Sequence, residues 1–387
     1  MQHLVIKPTL ACTARCPTCA ARRDLHRHAR KDGQLTFDDW VRVLAEARDL
    51  GVWEFTISGG EPTLYERLVE LVRIGRVYGW VVRVNTNGSL IDEPLARRLL
   101  DAGLNYIDVS LYGSNPAVHD PMRGRRGSWQ EATAAIAMLT ELAPRDPGFR
   151  VMTQTILCRE NYLDFPELLR LHHRLGSTGL LVSYLEGDFE GEHLLDEREI
   201  KRFREEVLPS IEEVVRGFDR TVRAAALSQL RGLFSPTILA DANWARGWYR
   251  PDRGDCQVPR EQALVLANGD VHPCNIVEYT HEPVMGNLLE EPLTAVWNGS
   301  RWHNSRRDLH PQCEWCPMQL HTYVPLRFGS RGVAVARWAL QVVRLGHLEA
   351  TLYPWGRKQL TRLRRRVRTP APASRDAGRR PPETPAL

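Results

Sequence analysis

Short apolar runs rich in β-branched residues alternate with amphipathic stretches through the first half of the chain. The runs lie at His3–Lys7, Trp53–Ser58, Val81–Asn85, Tyr106–Leu111, Phe149–Ile156 and Leu180–Tyr184, each with the length and composition of a buried strand. Between them, apolar residues recur at helical spacing over Thr36–Leu50, Leu64–Tyr78, Glu93–Ala102, Trp129–Leu142 and Asp164–Leu175. Thr36, followed by Asp38 and Asp39, gives the first of these a capping-type start. Strands and helices in strict alternation predict successive βα units on a parallel sheet. Six strands are too few for a closed eight-stranded barrel. The expectation is an α/β fold with an open partial barrel over residues 1–185.

The second half reads differently. Residues 186–250 are polar and helical in pattern and predict a bridging segment. A smaller module follows over 251–326: Gln262–Ala267 and Val271–Cys274 flank Asn268-Gly269-Asp270, a hairpin with a glycine turn. Residues 327–368 predict a basic helical tail, and the Pro/Ala/Arg-rich 369–387 a disordered end. The net charge of +5 hides an asymmetry, because the segment from Arg327 onward carries 14 Lys+Arg against three acids. The body before it is mildly acidic.

Within the tail, Arg331–Leu348 has an apolar surface interrupted by Arg337, Gln341 and Arg344 at i, i+4 and i+7. Such a helix can pack on the main domain or lie on an anionic membrane surface, where the basic run RLRRRVR would reinforce it. Nucleic acid is not expected as a partner, since no aromatic platform accompanies the charge. No apolar run reaches 18 residues, and the start lacks a charged segment followed by an apolar stretch and cleavage site. A cytoplasmic enzyme, with the tail on the inner membrane face as its one peripheral option, is the expectation.

Eight cysteines in such a chain point to metal rather than disulfides. Cys12, Cys16 and Cys19 form a C-x3-C-x2-C motif directly after the first strand. Three thiolates can hold three corners of a 4Fe–4S cubane and leave one iron open to a small molecule. The same spacing suits a helical face, but Pro17 would remove a hydrogen bond there. Zinc would need a fourth ligand close by. Cys256 and Cys274 flank the hairpin, and Cys313 and Cys316 close the module. Four thiolates so spaced make a complete site for either zinc or 4Fe–4S. Cys158 stands alone in a strand-like run, as a core residue does.

Further residues join the first motif: ISGGEP at Ile57–Pro62, NTNGS at Asn85–Ser89, Ser110 in DVSLYG and Arg123 in HDPMRGRRGSW. With CTARCPTC, and in this order, they resemble the signature of the radical S-adenosylmethionine (SAM) superfamily. The resemblance implies a (β/α)6 TIM-like core. It also implies SAM on the open iron, its ammonium group received by Gly59, Gly60 and Glu61, and further contacts from Asn85, Ser110 and Arg123. Arginine, a permanently charged fork, suits the SAM carboxylate. One departure stands out: Thr18 occupies the position before the third cysteine, where the family usually has an aromatic residue against adenine.

GDVHPC, GNLLEEPLTAVWNG and CEWCP resemble the SPASM/twitch extension of these enzymes, which carries auxiliary 4Fe–4S clusters. No cysteine follows Cys316, which matches the shorter, single-cluster twitch form. The resemblance implies that the reduced first cluster splits SAM into methionine and a 5′-deoxyadenosyl radical, which takes a hydrogen atom from substrate. The auxiliary cluster would then accept an electron or ligate substrate. A low-potential donor such as flavodoxin or ferredoxin would supply the first electron.

Tyr112, His119, Tyr184, Glu186, Asp188 and Glu278 are the acid–base candidates. Three substrate classes stay open: a peptide or protein residue; a sugar, aminocyclitol or nucleotide; and a lipid-linked molecule. A single auxiliary cluster favours the second. The short stretch before the first motif, 1–11, weighs slightly against the first. A non-catalytic zinc scaffold is the rival from another class.

Overall fold

Six parallel strands alternate with helices in the order that the apolar runs predict. The structure, a computed structural model, describes residues 1–19, 33–143, 148–184, 192–218, 223, 258–274 and 284–307. Its elements begin β1 (His3–Lys7), α1 (Phe37–Asp49), β2 (Glu54–Ile57), α2 (Leu68–Val77), β3 (Val81–Thr86), α3 (Glu93–Asp101) and β4 (Tyr106–Ser110). They continue with α4 (Pro116–Arg123), α5 (Ser128–Leu142), β5 (Arg150–Leu157), α6 (Phe165–Arg174) and β6 (Gly179–Tyr184). Helices α7 (Glu197–Arg202) and α8 (Leu208–Arg216) are joined by a π-helical turn over Phe203–Val207. Thr36 caps α1 as expected: its hydroxyl accepts from Asp39 N, and the Asp39 carboxylate accepts from Thr36 N.

Helix α4 is additional to the helices that the apolar spacing predicts. Two prolines obscure it, but Pro116 sits in the first turn, where no N–H is needed, and Asn115 caps the end by accepting from Ala117 N and Val118 N. Gly124 then ends the helix with φ 57°, a conformation that costs glycine little.

The sheet does not stop at six strands. After the short α9 (Val258–Glu261), β7 (Gln262–Leu266) pairs in parallel with β1, from His3 opposite Gln262 to Lys7 opposite Leu266. β8 (Asp270–His272) and β9 (Gly286–Asn287) follow antiparallel, giving the order β6-β5-β4-β3-β2-β1-β7-β8-β9. The expected hairpin is present, with Gly269 at φ 85° in its turn, but it extends the main sheet instead of forming its own. Two helices, α10 (Leu293–Asn298) and α11 (Ser300–Arg307), close the described part.

Alternation along the strands sorts the side chains. Leu4, Ile6, Phe55, Ile57, Val82, Val84, Ile107 and Val109 face the helices and join Trp40, Leu44, Leu71 and Leu99 in one core. Each such side chain fully buried contributes roughly 1.5–3 kcal/mol. Helix α2 comes especially close, since a Cβ on Gly75 would lie 2.8 Å from Val82 and 2.9 Å from Phe55. The opposite face carries a small apolar set, Val5, Leu264 and Leu266, and a buried ion pair. Arg83 Nη1 donates to both carboxylate oxygens of Asp108 at 2.8 and 2.7 Å, with its guanidinium 4.5 Å over the Tyr106 ring.

No helix among the described residues is long and apolar enough to cross a membrane. The bridging segment over 219–250, apart from Arg223, and the tail from 327 lie outside them.

Candidate active site

Chemistry on such a sheet belongs at the C-terminal ends of its strands, and there the chain from β1 runs directly into the first cysteine motif. The loop is held from two sides. On one, it continues the pairing of β1 with β2: Gly60 N donates to Thr9 O at 2.9 Å and Glu61 N to Ala11 O at 2.7 Å. On the other, Arg15 N donates to Arg123 O at 2.8 Å, at the C-terminus of α4. Both contacts need glycine. A Cβ on Gly60 would stand 2.2 Å from Ala11 O, and one on Gly124 would stand 2.2 Å from Arg15 O. Gly59, at φ 142°, is the third close approach, 2.5 Å from Thr9 O.

Within this cradle Cys12 is exposed, and Cys16 and Cys19 are half-buried. Burial raises the Cys12 and Cys16 thiols, and Cys19 raises both further, while Arg123 opposes the shift. Thiols in that state bind a metal by giving up protons to it. Among the described residues no three Cys, His, Asp or Glu side chains converge as ligands of a single ion. The donor set fits a cubane, in which each thiolate takes a different iron.

The acidic residue of the glycine turn is engaged within the chain. Glu61 is fully buried, and its Oε1 accepts from Thr63 N, Thr63 Oγ1 and Thr86 Oγ1 at 3.1, 2.7 and 2.7 Å. Its Oε2 accepts from Asn87 N at 2.7 Å. With three donors on Oε1 and one on Oε2, Glu61 clasps the turn after β2 to the end of β3, and Oε2 keeps one acceptor site.

The two asparagines of NTNGS part company. Asn85 lies on β3 opposite Asp108, on the face away from the helices, and its buried Oδ1 has no hydrogen-bond partner. Asn87, beyond the strand, turns to the cysteine loop: Nδ2 donates to Thr13 Oγ1 at 2.9 Å and to Cys12 Sγ at 3.8 Å. Its Oδ1 accepts from Ser89 N at 2.9 Å, and the Ser89 and Thr13 hydroxyls meet at 2.7 Å. Asn87, Thr13, Ser89 and Gly124 were missed from the sequence; the Asn-Gly pair marks a turn anywhere and says nothing of where the amide points.

Arg123 is buried, with its guanidinium 4.7 Å over the Tyr112 ring. Burial works against its charge, but Tyr112, Cys16, Cys12 and Glu61 around it offset that and raise its pKa. Its guanidinium has no hydrogen-bond acceptor among the described residues, and a fork of donors without an acceptor suits a carboxylate. Ser110 ends β4 and lowers the Tyr112 phenol slightly, against the upward push of burial.

The acid–base candidates fare unevenly. Burial pushes the Tyr112 phenol up. His119 is fully buried, and its Nδ1 accepts from Tyr112 N at 3.0 Å, so Nε2 carries the proton. Burial, with Arg123 adding, lowers its pKa to about 3, which makes it a neutral brace for the Tyr112 backbone and not a proton carrier. The Tyr184 side chain, Glu186, Asp188 and Glu278 lie outside the described residues, as do Cys256, Cys313 and Cys316. Cys274 is half-buried just after β8, and Cys158 is buried beside Tyr112 and Met122. Thr18 is half-buried in the cysteine loop.

Comparison with known proteins gives two family matches. The model of the Radical SAM superfamily matches residues 6–172, and the SPASM model, an iron–sulfur cluster-binding domain, matches residues 256–317. The PqqA peptide cyclase of Gluconobacter oxydans (strain 621H) is 27% identical over 317 residues, covering 81% of this chain and 80% of that one. The AdoMet-dependent heme synthase of Methanosarcina barkeri (strain Fusaro / DSM 804) is 24% identical over 323 residues, with 80% and 86% covered. Among solved structures, Streptococcus suis SuiB bound to precursor peptide SuiA superposes with a TM-score of 0.58 at 19% identity, covering 82% of this chain and 70% of that one.

Proposed function

Because the chain belongs to the radical SAM superfamily and carries a SPASM-type iron–sulfur domain, we propose that it modifies a peptide, with Cys12, Cys16 and Cys19 holding the SAM-binding 4Fe–4S cluster. The observation that carries the site is the three-cysteine loop gripped between the Gly59–Gly60 turn and the Arg123–Gly124 helix end. When bound, the cluster and SAM supply one-electron cleavage of SAM and removal of a hydrogen atom from substrate.

The residues of this chain have separable tasks. Three thiolates leave one iron without a protein ligand, where a sulfonium cofactor can chelate. Arg123, held over Tyr112, receives the cofactor carboxylate as a charge-assisted fork. The backbone of Gly59 and Gly60 receives its ammonium group, together with the Glu61 carboxylate, whose Oε2 accepts only one bond within the chain. Asn85, with an unpaired buried oxygen, and Ser110 give polar contacts on the same face of the sheet. Cys256, Cys274, Cys313 and Cys316 bind one auxiliary 4Fe–4S cluster, and a flavodoxin or ferredoxin delivers the electron.

Peptide is the favoured substrate because several relatives spanning most of the chain are PqqA peptide cyclases. That reverses the lean toward sugars and nucleotides drawn from the cysteine count. Anaerobic reconstitution tests the first part: about eight irons per chain for two cubanes, about four for one. Reductant and SAM should then release 5′-deoxyadenosine, and Cys12→Ala, Cys16→Ala or Cys19→Ala should stop it. For the substrate, the peptide encoded nearest the gene, incubated with loaded enzyme, should change mass. Unchanged peptide together with turnover of a small metabolite would remove the peptide reading.

A further inference from the structure

Cys12 differs from the other two cysteines of its loop in the company its sulfur keeps. Ala14 N donates to Cys12 Sγ at 3.4 Å and Asn87 Nδ2 at 3.8 Å. Among the described residues no side chain donates to the Cys16 or Cys19 sulfur. The Asn87 amide cannot turn away, because each of its atoms is engaged: Oδ1 accepts from Ser89 N, and Nδ2 also donates to Thr13 Oγ1. Its own backbone N–H is fixed by Glu61 Oε2, which is fixed in turn by Thr63 and Thr86. An orienting chain thus runs from a fully buried carboxylate to one thiol. Gly88, at φ 81° with a Cβ position only 3.0 Å from Val109, lets the turn fold down that closely.

Resting on the reading that Cys12 is a cluster ligand, we propose that Asn87 is a positioning residue that sets the reduction potential of the SAM-binding cluster by an amide N–H···S bond to Cys12. A donor on a ligating sulfur draws electron density from it and favours the reduced cluster, and hydrogen bonds to sulfur are an established lever on such potentials. The three thiolates are then inequivalent: the iron on Cys12 is the one with the most stabilised added electron. Thr13 and Ser89 hold the amide in place and make no bond to sulfur.

The test is an anaerobic redox titration of the reconstituted full chain, followed by electron paramagnetic resonance. The signal that changes on adding SAM identifies the open-iron cluster among the two. Asn87→Asp keeps the acceptor for Ser89 N but removes the donor, and Asn87→Leu removes both. Each should lower the reduced fraction at a fixed potential by about tenfold, a shift of about 59 mV to more negative potential for one electron. Ser89→Ala, which loses the hydroxyl contact with Thr13 but keeps every bond of the Asn87 amide, should stay close to the parent.

Potentials unmoved in both Asn87 variants overturn the proposal. So does an equal shift in Ser89→Ala, which would trace the effect to loop position. Iron lost from both Asn87 variants while Ser89→Ala loads fully would mark Asn87 as loop support alone, and also overturns it. Failure of the parent chain to form a SAM-responsive cluster is a different result, which removes the underlying assignment.

Discussion

Replacing Gly60 with alanine puts the architecture of the cysteine loop to its sharpest test. Gly60 does not adopt positive φ, so alanine brings no backbone strain and its methyl group is the whole perturbation. That methyl would meet Ala11 O at 2.2 Å, Leu10 O at 2.4 Å and Leu10 C at 2.6 Å. Contacts below 3.0 Å are not sustained, so the loop or the turn must move by roughly 0.8 Å. All three atoms are backbone, within two residues of Cys12, and the Gly60 N to Thr9 O and Glu61 N to Ala11 O bonds hold the two strands together. No side chain can swing aside. A shift on this scale in a reacting geometry costs on the order of 10²-fold in rate. Gly60→Ala should therefore form 5′-deoxyadenosine about 10²-fold more slowly at saturating SAM, with a near-parental thermal midpoint. Gly79→Ala is the counterpart: φ 75° with nothing within 4 Å of the new methyl, hence backbone strain of about 1 kcal/mol and no change at the cluster. Parental iron content and rate in Gly60→Ala would show that the loop does not depend on this contact, and the two-sided grip would have to be abandoned.

Glu61→Gln should destabilise the chain by about 3 kcal/mol in chemical denaturation. The new amide must face either Asn87 N–H or the Thr63 and Thr86 donors, which loses a charge-assisted bond and strands a buried donor. Asp108→Ala should cost about 3–5 kcal/mol because Arg83 is left charged and unpaired, and pairing Asp108→Leu with Arg83→Met should recover most of it. His172 is buried against Thr153 and Ser177, and burial lowers its pKa to about 4. The unfolded chain then binds the extra proton between the ordinary value of 6.5 and about 4. Stability is full above pH 6.5 and falls by about 1.4 kcal/mol per pH unit on the way down. His119, lowered to about 3, adds a like increment, so urea midpoints measured from pH 7.5 to 5 should show at least that slope and His172→Gln should reduce it by about 1.4 kcal/mol per pH unit; a slope unaffected by the substitution would assign the proton elsewhere.

The strands were legible because alternation is a local mark: Val82, Val84, Ile107 and Val109 turn β-branched side chains to the helices, while Arg83, Asn85 and Asp108 take the other face. Capping was equally local, and Thr36 with Asp39 formed as read. Helix α4 was hidden because two prolines imitate a loop: Pro116 takes the tolerated first turn, but Pro121 lies inside the helix, where it removes one hydrogen bond. Asn85 and Asn87 show where residue type alone stops. They are identical and two apart, yet β3 ends between them at Thr86, so one stays on the sheet and the other folds onto Cys12. Glu61 illustrates the converse, a residue placed rightly at the site whose carboxylate also binds neighbours 2 to 26 positions away. Only a folded chain discloses that.

The position of β7 has a consequence for how the two cysteine groups relate. β1 lies between β2 and β7, and the residue after its last pairing partners starts the path to Cys12. β7 in turn runs through the Gly269 turn into β8, after which Cys274 stands two residues on. Five registered pairs, His3 with Gln262 through Lys7 with Leu266, thus join the strand that delivers the first cluster loop to the hairpin that delivers a cysteine of the second group. A flexible tether would leave their separation to chance; a parallel ladder sets it to the pleat, because sliding by one residue would turn Val5, Leu264 and Leu266 from their apolar cluster to the opposite face. The register of one strand pair thus fixes where the Cys12 loop and the path to Cys274 leave the sheet.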